Sequence, residues 1–326
     1  MFARVVVDVT RTWNSGRCTT GPGVGRGLIA CLCAALLVVT GCTSGRTGDA
    51  TVVVPRHPPV RVASFDFPES QILAEIYADA LERNGYPVTR LMGVGSREVV
   101  EPALQQGLVD LVPEYAGSAL RFLGVAAAGD SPAASRTRLA AALAPHGIAV
   151  LALSPAQDQN GVAVTTGTAR TRGLRRISDL RPVAHSLTFG GPPECPERPF
   201  CLAGLQSVYG LRFQRFLPLP SRDVIAAALD TGEIDVGMLE TTDPHVADGK
   251  LVALADDRRL QPAENVVPVV RRTLIDAYGP AFTRVLDSVS AQLTTTSLAE
   301  LNRRAVIDGV PVARVAEDWV NTTPAR

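Results

Sequence analysis

Lysine is almost absent from this chain of 326 residues: Lys250 stands alone among basic side chains that are otherwise arginine. Chemistry that needs a lysine nucleophile or a Schiff base would rest on that one residue. Aromatic residues make up 5% of the chain and its formal charge is zero, so it carries no electrostatic footprint for nucleic acid or for extended contact with anionic lipid. The four histidines, His57, His146, His185 and His245, form no spaced pair of metal ligands. G-x-S-x-G, H-E-x-x-H, P-loop and C-x-x-C motifs are all missing. Gly93-Val94-Gly95-Ser96-Arg97 resembles a piece of a dinucleotide loop, but it lacks the third glycine and follows no first strand. Neither a cofactor nor a metal is expected, and the balance moves from catalysis toward binding.

What is present begins with a short apolar run, Leu28 to Val39, preceded by Arg11, Arg17 and Arg26 and closed by Val39-Thr40-Gly41-Cys42. At twelve residues the run is too short to span about 30 Å of hydrocarbon, and the pattern reads as a bacterial lipobox on a processed signal. Cys42 then becomes an acylated N-terminus, and two acyl chains hold a protein stably at a membrane it does not cross. The alternative is an ordinary secretory or transmembrane segment with a chance cysteine. Small Gly41 before Cys42 and polar Thr43-Ser44-Gly45 after it argue against that. Removing residues 1–41 leaves 285, enough for two α/β lobes with cores of their own.

Cys195 and Cys201 are the cysteines that remain after the signal and Cys42 are set aside. In an oxidising compartment such a pair is most simply a disulfide; a metal site would need more ligands, and a catalytic thiol would need a nearby base. Residues 42–59 read as a flexible tether. Val60 to Ala63 alternate as a first strand, Pro68 and Glu69 open a helix, Ile72, Leu73, Ile76, Tyr77, Ala80 and Leu81 form its apolar stripe, and Gly85 ends it. Tyr77 and Tyr86 are read as packing residues. One pattern recurs: Ala103 to Val112 and Ala228 to Gly237 each read as a helix end, a glycine cap and a short buried strand containing an aspartate, Asp110 or Asp235. Polar residues follow each strand, Glu114, Tyr115 and Ser118 in one case and Glu240, Thr241, Thr242 and Asp243 in the other. Ligands sit outside the carboxyl ends of strands in open α/β sheets, so the two modules are expected to face one solute. Between them, the proline-rich segment from Gly190 to Cys201 forms a rigid loop that presents Arg198, with a solvated surface arginine as the other reading. From Arg271 to Asn321 the chain reads as mostly helical, with Leu274, Ala277, Phe282, Val285, Leu286 and Val289 as core residues.

Several of these segments, taken in order, resemble the osmoprotectant substrate-binding proteins of ABC importers, the glycine betaine, choline and carnitine group. They are Ser64-Phe-Asp-Phe-Pro-Glu-Ser70, Asp110-Leu-Val-Pro-Glu-Tyr-Ala-Gly117, Phe189-Gly-Gly-Pro-Pro-Glu194, Arg198-Pro199 and Thr241-Thr-Asp-Pro244. The resemblance implies a type II periplasmic-binding-protein fold, two α/β lobes with two crossovers and a ligand cleft. Lobe 1 takes residues 60–157, lobe 2 residues 158–263, and residues 264–326 return to lobe 1. It further implies a lipid-anchored, monomeric receptor on the outer face of the bacterial cytoplasmic membrane that hands a small solute to a permease and its ATPase. In that family an aromatic box holds the quaternary ammonium and an arginine holds the carboxylate. Tyr115 matches a box tyrosine, Ser118 replaces a threonine beside it, and Arg198 matches the carboxylate arginine. The chain departs from the pattern at Glu240, at Ala263 or Glu264, and at Gln159-Asn160-Gly161, where relatives carry tyrosines. Phe65 and Phe67 would restore box walls, with Asn160, Glu240 and Thr241 completing the polar contacts. The open box leaves two solute classes, a betaine-like quaternary amine or another polar compound such as a polyol. A cell-envelope enzyme using Glu194 or Glu240 is a further alternative.

Overall fold

The structure, a computed structural model, describes residues 57–126 and 131–323. The signal segment, Cys42 and nearly all of the tether lie outside the described residues. The first half runs β1 (Val60–Phe65), α1 (Pro68–Arg83), β2 (Val88–Gly95), α2 (Arg97–Gln105), β3 (Leu111–Tyr115), α3 (Ala116–Phe122), α4 (Pro132–Leu143), β4 (Ile148–Val150), β5 (Asn160–Thr165), α5 (Thr166–Arg172) and β6 (Thr188–Gly191). The second continues α6 (Leu202–Tyr209), β7 (Arg215–Pro218), α7 (Arg222–Thr231), β8 (Val236–Glu240), α8 (Pro244–Ala247), β9 (Leu251–Leu254) and β10 (Val266–Arg271). It closes with α9 (Arg272–Tyr278), α10 (Pro280–Gln292), α11 (Thr295–Val306) and α12 (Val312–Thr322).

The strands form two five-stranded sheets, β2-β1-β3-β10-β4 and β7-β6-β8-β5-β9. In each, the first three strands run parallel and the last two pair antiparallel. Each sheet has its own buried aliphatic core. The chain crosses between the two lobes twice, through residues 151–159 and 255–265, and the crossovers are cross-linked. Asn265 Nδ2 donates to the Ser154 carbonyl at 2.8 Å and Gln159 Nε2 to that of Pro262 at 2.7 Å.

Local sequence explains most of these elements. Pro68 at the first turn of α1 has the φ a helix needs and no amide to leave unpaired. The stripe from Ile72 to Leu81 is buried, each large aliphatic member contributing about 1.5–3 kcal/mol, and Gly85 takes the left-handed conformation (φ 80°) just beyond. Tyr77 is fully buried with its hydroxyl 2.9 Å from Ser290 Oγ, and Tyr86 packs edge-on against Tyr278 and Phe282. The C-terminal helices return to the first lobe, α9 and α10 against β10 and α10–α12 against α1, burying Leu274, Phe282, Leu286 and Val289. Val285 is partly buried, whereas Ala277 is exposed: the short α9 buries only Leu274, so the helical period places Ala277 on its solvent side.

The repeated module is real, with one correction. Gly107 and Gly232 cap α2 and α7 with φ near 75° (74° and 75°), but Asp110 and Asp235 precede β3 and β8 instead of lying within them. Each carboxylate accepts a backbone N–H at the start of the neighbouring parallel strand, Arg61 N, second in β1, at 3.0 Å and Thr188 N, first in β6, at 2.8 Å. They pin the sheets at the ends opposite the cleft. Lys250, exposed beside Asp248 at 3.5 Å, sits in the turn that enters β9, an edge strand of the second sheet.

Candidate functional site

The carboxyl ends of β1 and β3 bring three aromatic rings together. Phe65 stacks on Phe67 with centroids 5.8 Å apart, and Phe67 tilts against Tyr115 at 6.1 Å. Phe65 and Tyr115 are buried, while Phe67 keeps 38% of its surface exposed and is the ring most open to solvent. Phe65 already carries a cation: the Arg97 guanidinium lies 4.8 Å from its ring centroid. Glu114 fixes that guanidinium by a two-point contact, accepting from Nε at 2.8 Å and Nη2 at 3.0 Å, and it also accepts the Tyr115 N–H at 2.8 Å. Sequence reasoning placed Glu114 after β3; it is buried within the strand.

Behind the rings lies a row of carboxylates. The Tyr115 hydroxyl donates to Glu69 Oε1 at 2.7 Å, and Asn302 Nδ2 donates to Glu69 Oε2 and, at 2.9 Å, to the Thr242 carbonyl. The Thr242 hydroxyl donates to Asp158 Oδ1 at 2.8 Å. Glu264 accepts the Ser118 N–H at 2.8 Å and its hydroxyl at 3.1 Å. Glu240 pairs with Arg222 at the N-terminus of α7. Removal from water is the first cause that raises the pKa values here, because burial penalises the charged form. It pushes Glu240 up to about 7, and it raises Glu69, Glu264 and, well above the usual carboxylate range, Asp158, where the charge of Glu69 adds to the effect. The acids outnumber the cations that reach them, an electrostatic setting that favours a positively charged group.

The other predicted site residues are spread around this centre. Thr241 bridges a crossover, its hydroxyl donating to the Gln157 carbonyl at 2.8 Å and accepting the Gln159 N–H at 3.0 Å. Asn160 opens β5 directly opposite Glu240 and is exposed. Arg198 stands on the proline-rich loop with 64% of its side chain exposed, 2.7 Å from Glu194. Cys195 and Cys201 form a disulfide across that loop, with Cα atoms 5.2 Å apart. Glu194 and Glu240 thus pair with separate arginines on separate elements, which is not the arrangement of an acid and base pair.

Reading the sequence alone missed Arg97, Asp158, Arg222 and Asn302. Asn302 had a usable signal, an amide on the apolar face of α11 between buried Leu298 and Ala299. Asp158 and Arg97 had none, since their partners lie far along the chain. A cavity of about 640 Å3 lies between β9 and α11, bordered by Asn160, Thr241, Val252, Leu254, Thr295 and Glu300; none of the residues lining it is aromatic or basic.

Residues 58–322 match the family described as the substrate binding domain of ABC-type glycine betaine transport system. A glycine-betaine-binding protein of Pseudomonas aeruginosa is 28% identical over 271 residues, 80% of this chain and 86% of that protein. Glycine betaine-binding protein YehZ of Escherichia coli is 28% identical over 274 residues, 80% of this chain and 90% of that one. Among solved structures, apo YehZ superposes with a TM-score of 0.76 at 26% identity, covering 83% of this chain and 100% of its own. A glycine betaine/carnitine/choline ABC transporter structure gives 0.76 at 22% identity, covering 81% and 98%. The fold is that of the type II periplasmic binding proteins, and the family comprises solute-binding transport proteins, not enzymes. The chain belongs to the family of substrate-binding domains of ABC-type glycine betaine transport systems.

Proposed function

We propose that this protein is a lipid-anchored receptor on the outer face of the bacterial cytoplasmic membrane, which captures a betaine-like quaternary amine and delivers it as a monomer to a permease driven by a separate ATPase. The observation that carries the reading is the exposed Phe67 ring, set against Tyr115 and backed by the carboxylates Glu69, Asp158 and Glu240. An aromatic face and nearby negative charge are what a desolvated quaternary ammonium requires, since it has no N–H to donate. The curated relatives carry glycine betaine in their names, which supports the same class. The cavity beside α11 lacks an aromatic wall and is not the place for this solute.

A second reading, a polar solute without a quaternary centre, draws on the same rings: Phe65 is covered by Arg97 and Tyr115 is buried, so the box is incomplete. Calorimetric titration of the domain from residue 43 onward separates the two. Saturable binding of glycine betaine, choline or carnitine supports the first, and polyol binding with no response to any quaternary amine overturns it. The anchor has its own test: Cys42→Ala abolishes incorporation of labelled palmitate and releases the protein from membranes, and unchanged labelling refutes the lipobox.

A further inference from the structure

The arginine that receives the acidic end of a zwitterionic solute needs to be partly withdrawn from water, held in one orientation, and left with an unpaired N–H edge. Four arginines border the site, and one of them, Arg121, exposes 56% of its side chain and already donates to Ser118 Oγ at 2.9 Å and to Glu264 at 3.4 Å. Arg198 and Arg222 each expose 64% of their side chains and pair with Glu194 and Glu240, so both are solvated groups on lobe 2. Arg97 exposes only 21%, is clamped by the buried Glu114 and lies over Phe65. The two-point contact with Glu114 uses Nε and Nη2; Nη1 has no partner among the described residues. A guanidinium is a planar fork whose two edges can serve two carboxylates at once, which an ammonium on a flexible stem cannot do with fixed geometry.

We infer that Arg97 is the specificity-determining residue that receives the carboxylate of the solute, on lobe 1, with Glu114 and Phe65 holding it in position. This rests on the quaternary-amine reading given above. The guanidinium occupies the face of Phe65, so the solute's own cation is left to Phe67, on the side of Tyr115 and the acids behind it. The solute therefore lies with its carboxylate toward Arg97 and its ammonium toward the Phe67 ring and the carboxylates. Arg97 is also the first residue of α2, whose opening amides point the same partial positive charge outward and reinforce the preference for an anion. A chain that keeps its carboxylate-binding group in lobe 1, prepaired with an internal acid, discriminates betaines from choline through one residue.

The test compares glycine betaine with choline, which carries a hydroxyl where betaine carries a carboxylate, on the wild-type domain and two variants. Arg97→Met is expected to weaken betaine binding by about tenfold or more, the scale of a lost charge-assisted hydrogen bond, while choline affinity changes by less than about twofold. Because Arg97→Met leaves Glu114 buried without its partner, the double variant Arg97→Met/Glu114→Gln is run beside it, and retained choline binding certifies the fold. Betaine affinity unchanged in both variants overturns the inference and leaves the quaternary-amine reading standing. Equal losses of betaine and choline also overturn it, as does loss of betaine selectivity in Arg198→Ala in place of the Arg97 variants. A wild-type domain that binds choline but no carboxylate-bearing quaternary amine overturns this inference alone, and one that binds no quaternary amine at all overturns the quaternary-amine reading and this inference with it.

Discussion

Asn302 on α11 donates to the backbone carbonyl of Thr242, 2.9 Å away, and so ties a helix packed on α1 to the loop that leaves the second sheet. The same amide nitrogen serves Glu69, while Asn302 Oδ1 has no partner among the described residues. The joint between the lobes is rich in acceptors and poor in donors. Replacing Asn302 by Leu removes donors from two buried acceptors and is expected to cost about 1–3 kcal/mol, read as a lower urea midpoint with an unchanged slope.

The pH dependence follows from Glu240, Glu69 and Asp158, whose pKa values are all raised in the folded protein. The folded state therefore binds more protons than the unfolded one. The stability these groups contribute is complete below the ordinary carboxylate range and is lost as pH rises through the folded values. For Glu240 the window runs from its ordinary value to about 7. Melting temperature is expected to fall between pH 5 and 8, and Glu240→Gln to flatten part of that fall. A wild-type profile that rises across the interval contradicts the assignment.

The Cys195–Cys201 bridge closes a small loop, which limits the chain entropy it removes from the unfolded state. Its loss in Cys195→Ala/Cys201→Ala is expected to lower stability by about 2 kcal/mol. Exchange of the amides of Glu194, Glu197, Arg198 and Phe200 should accelerate, with those of the first sheet unchanged.

Gly204, in the first turn of α6, lets that helix dock against the disulfide loop: a Cβ there would stand 2.0 Å from the Pro199 carbonyl oxygen and 2.6 Å from Leu260 Cδ1. Backbone cannot yield as a side-chain tip does. Gly204→Ala is expected to cost about 1–3 kcal/mol by overpacking, measured by thermal denaturation, and to displace the loop that carries Arg198.

How much of this the sequence discloses depends on the distance over which each signal acts. The stripe from Ile72 to Leu81, the glycine caps at 107 and 232 and the cysteine pair are local patterns, and each reports its own element. The aspartates read from the pattern as lying within β3 and β8 stand just before them, because periodicity does not register where pairing begins. The site is less visible, since it is made of pairs such as Glu69 with Asn302 and Glu114 with Arg97, which are joined only by the fold. Burial beneath Arg97 could not be read from Phe65 itself, and the pairing of Arg198 with Glu194 could not be told from a cleft-facing arginine by the loop's proline content.

Lys250 turns the chain's poverty in lysine into an experimental address. It is the single lysine of the sequence, it projects into solvent, and it enters the edge strand of the second sheet. An amine-reactive fluorophore finds one side-chain position on the folded domain, with no engineered thiol to scramble the Cys195–Cys201 bridge. A dye placed there rides on one lobe alone, so energy transfer from Trp319 in α12, packed with the other, reports any solute-dependent change in the distance between them as an optical signal on the native sequence.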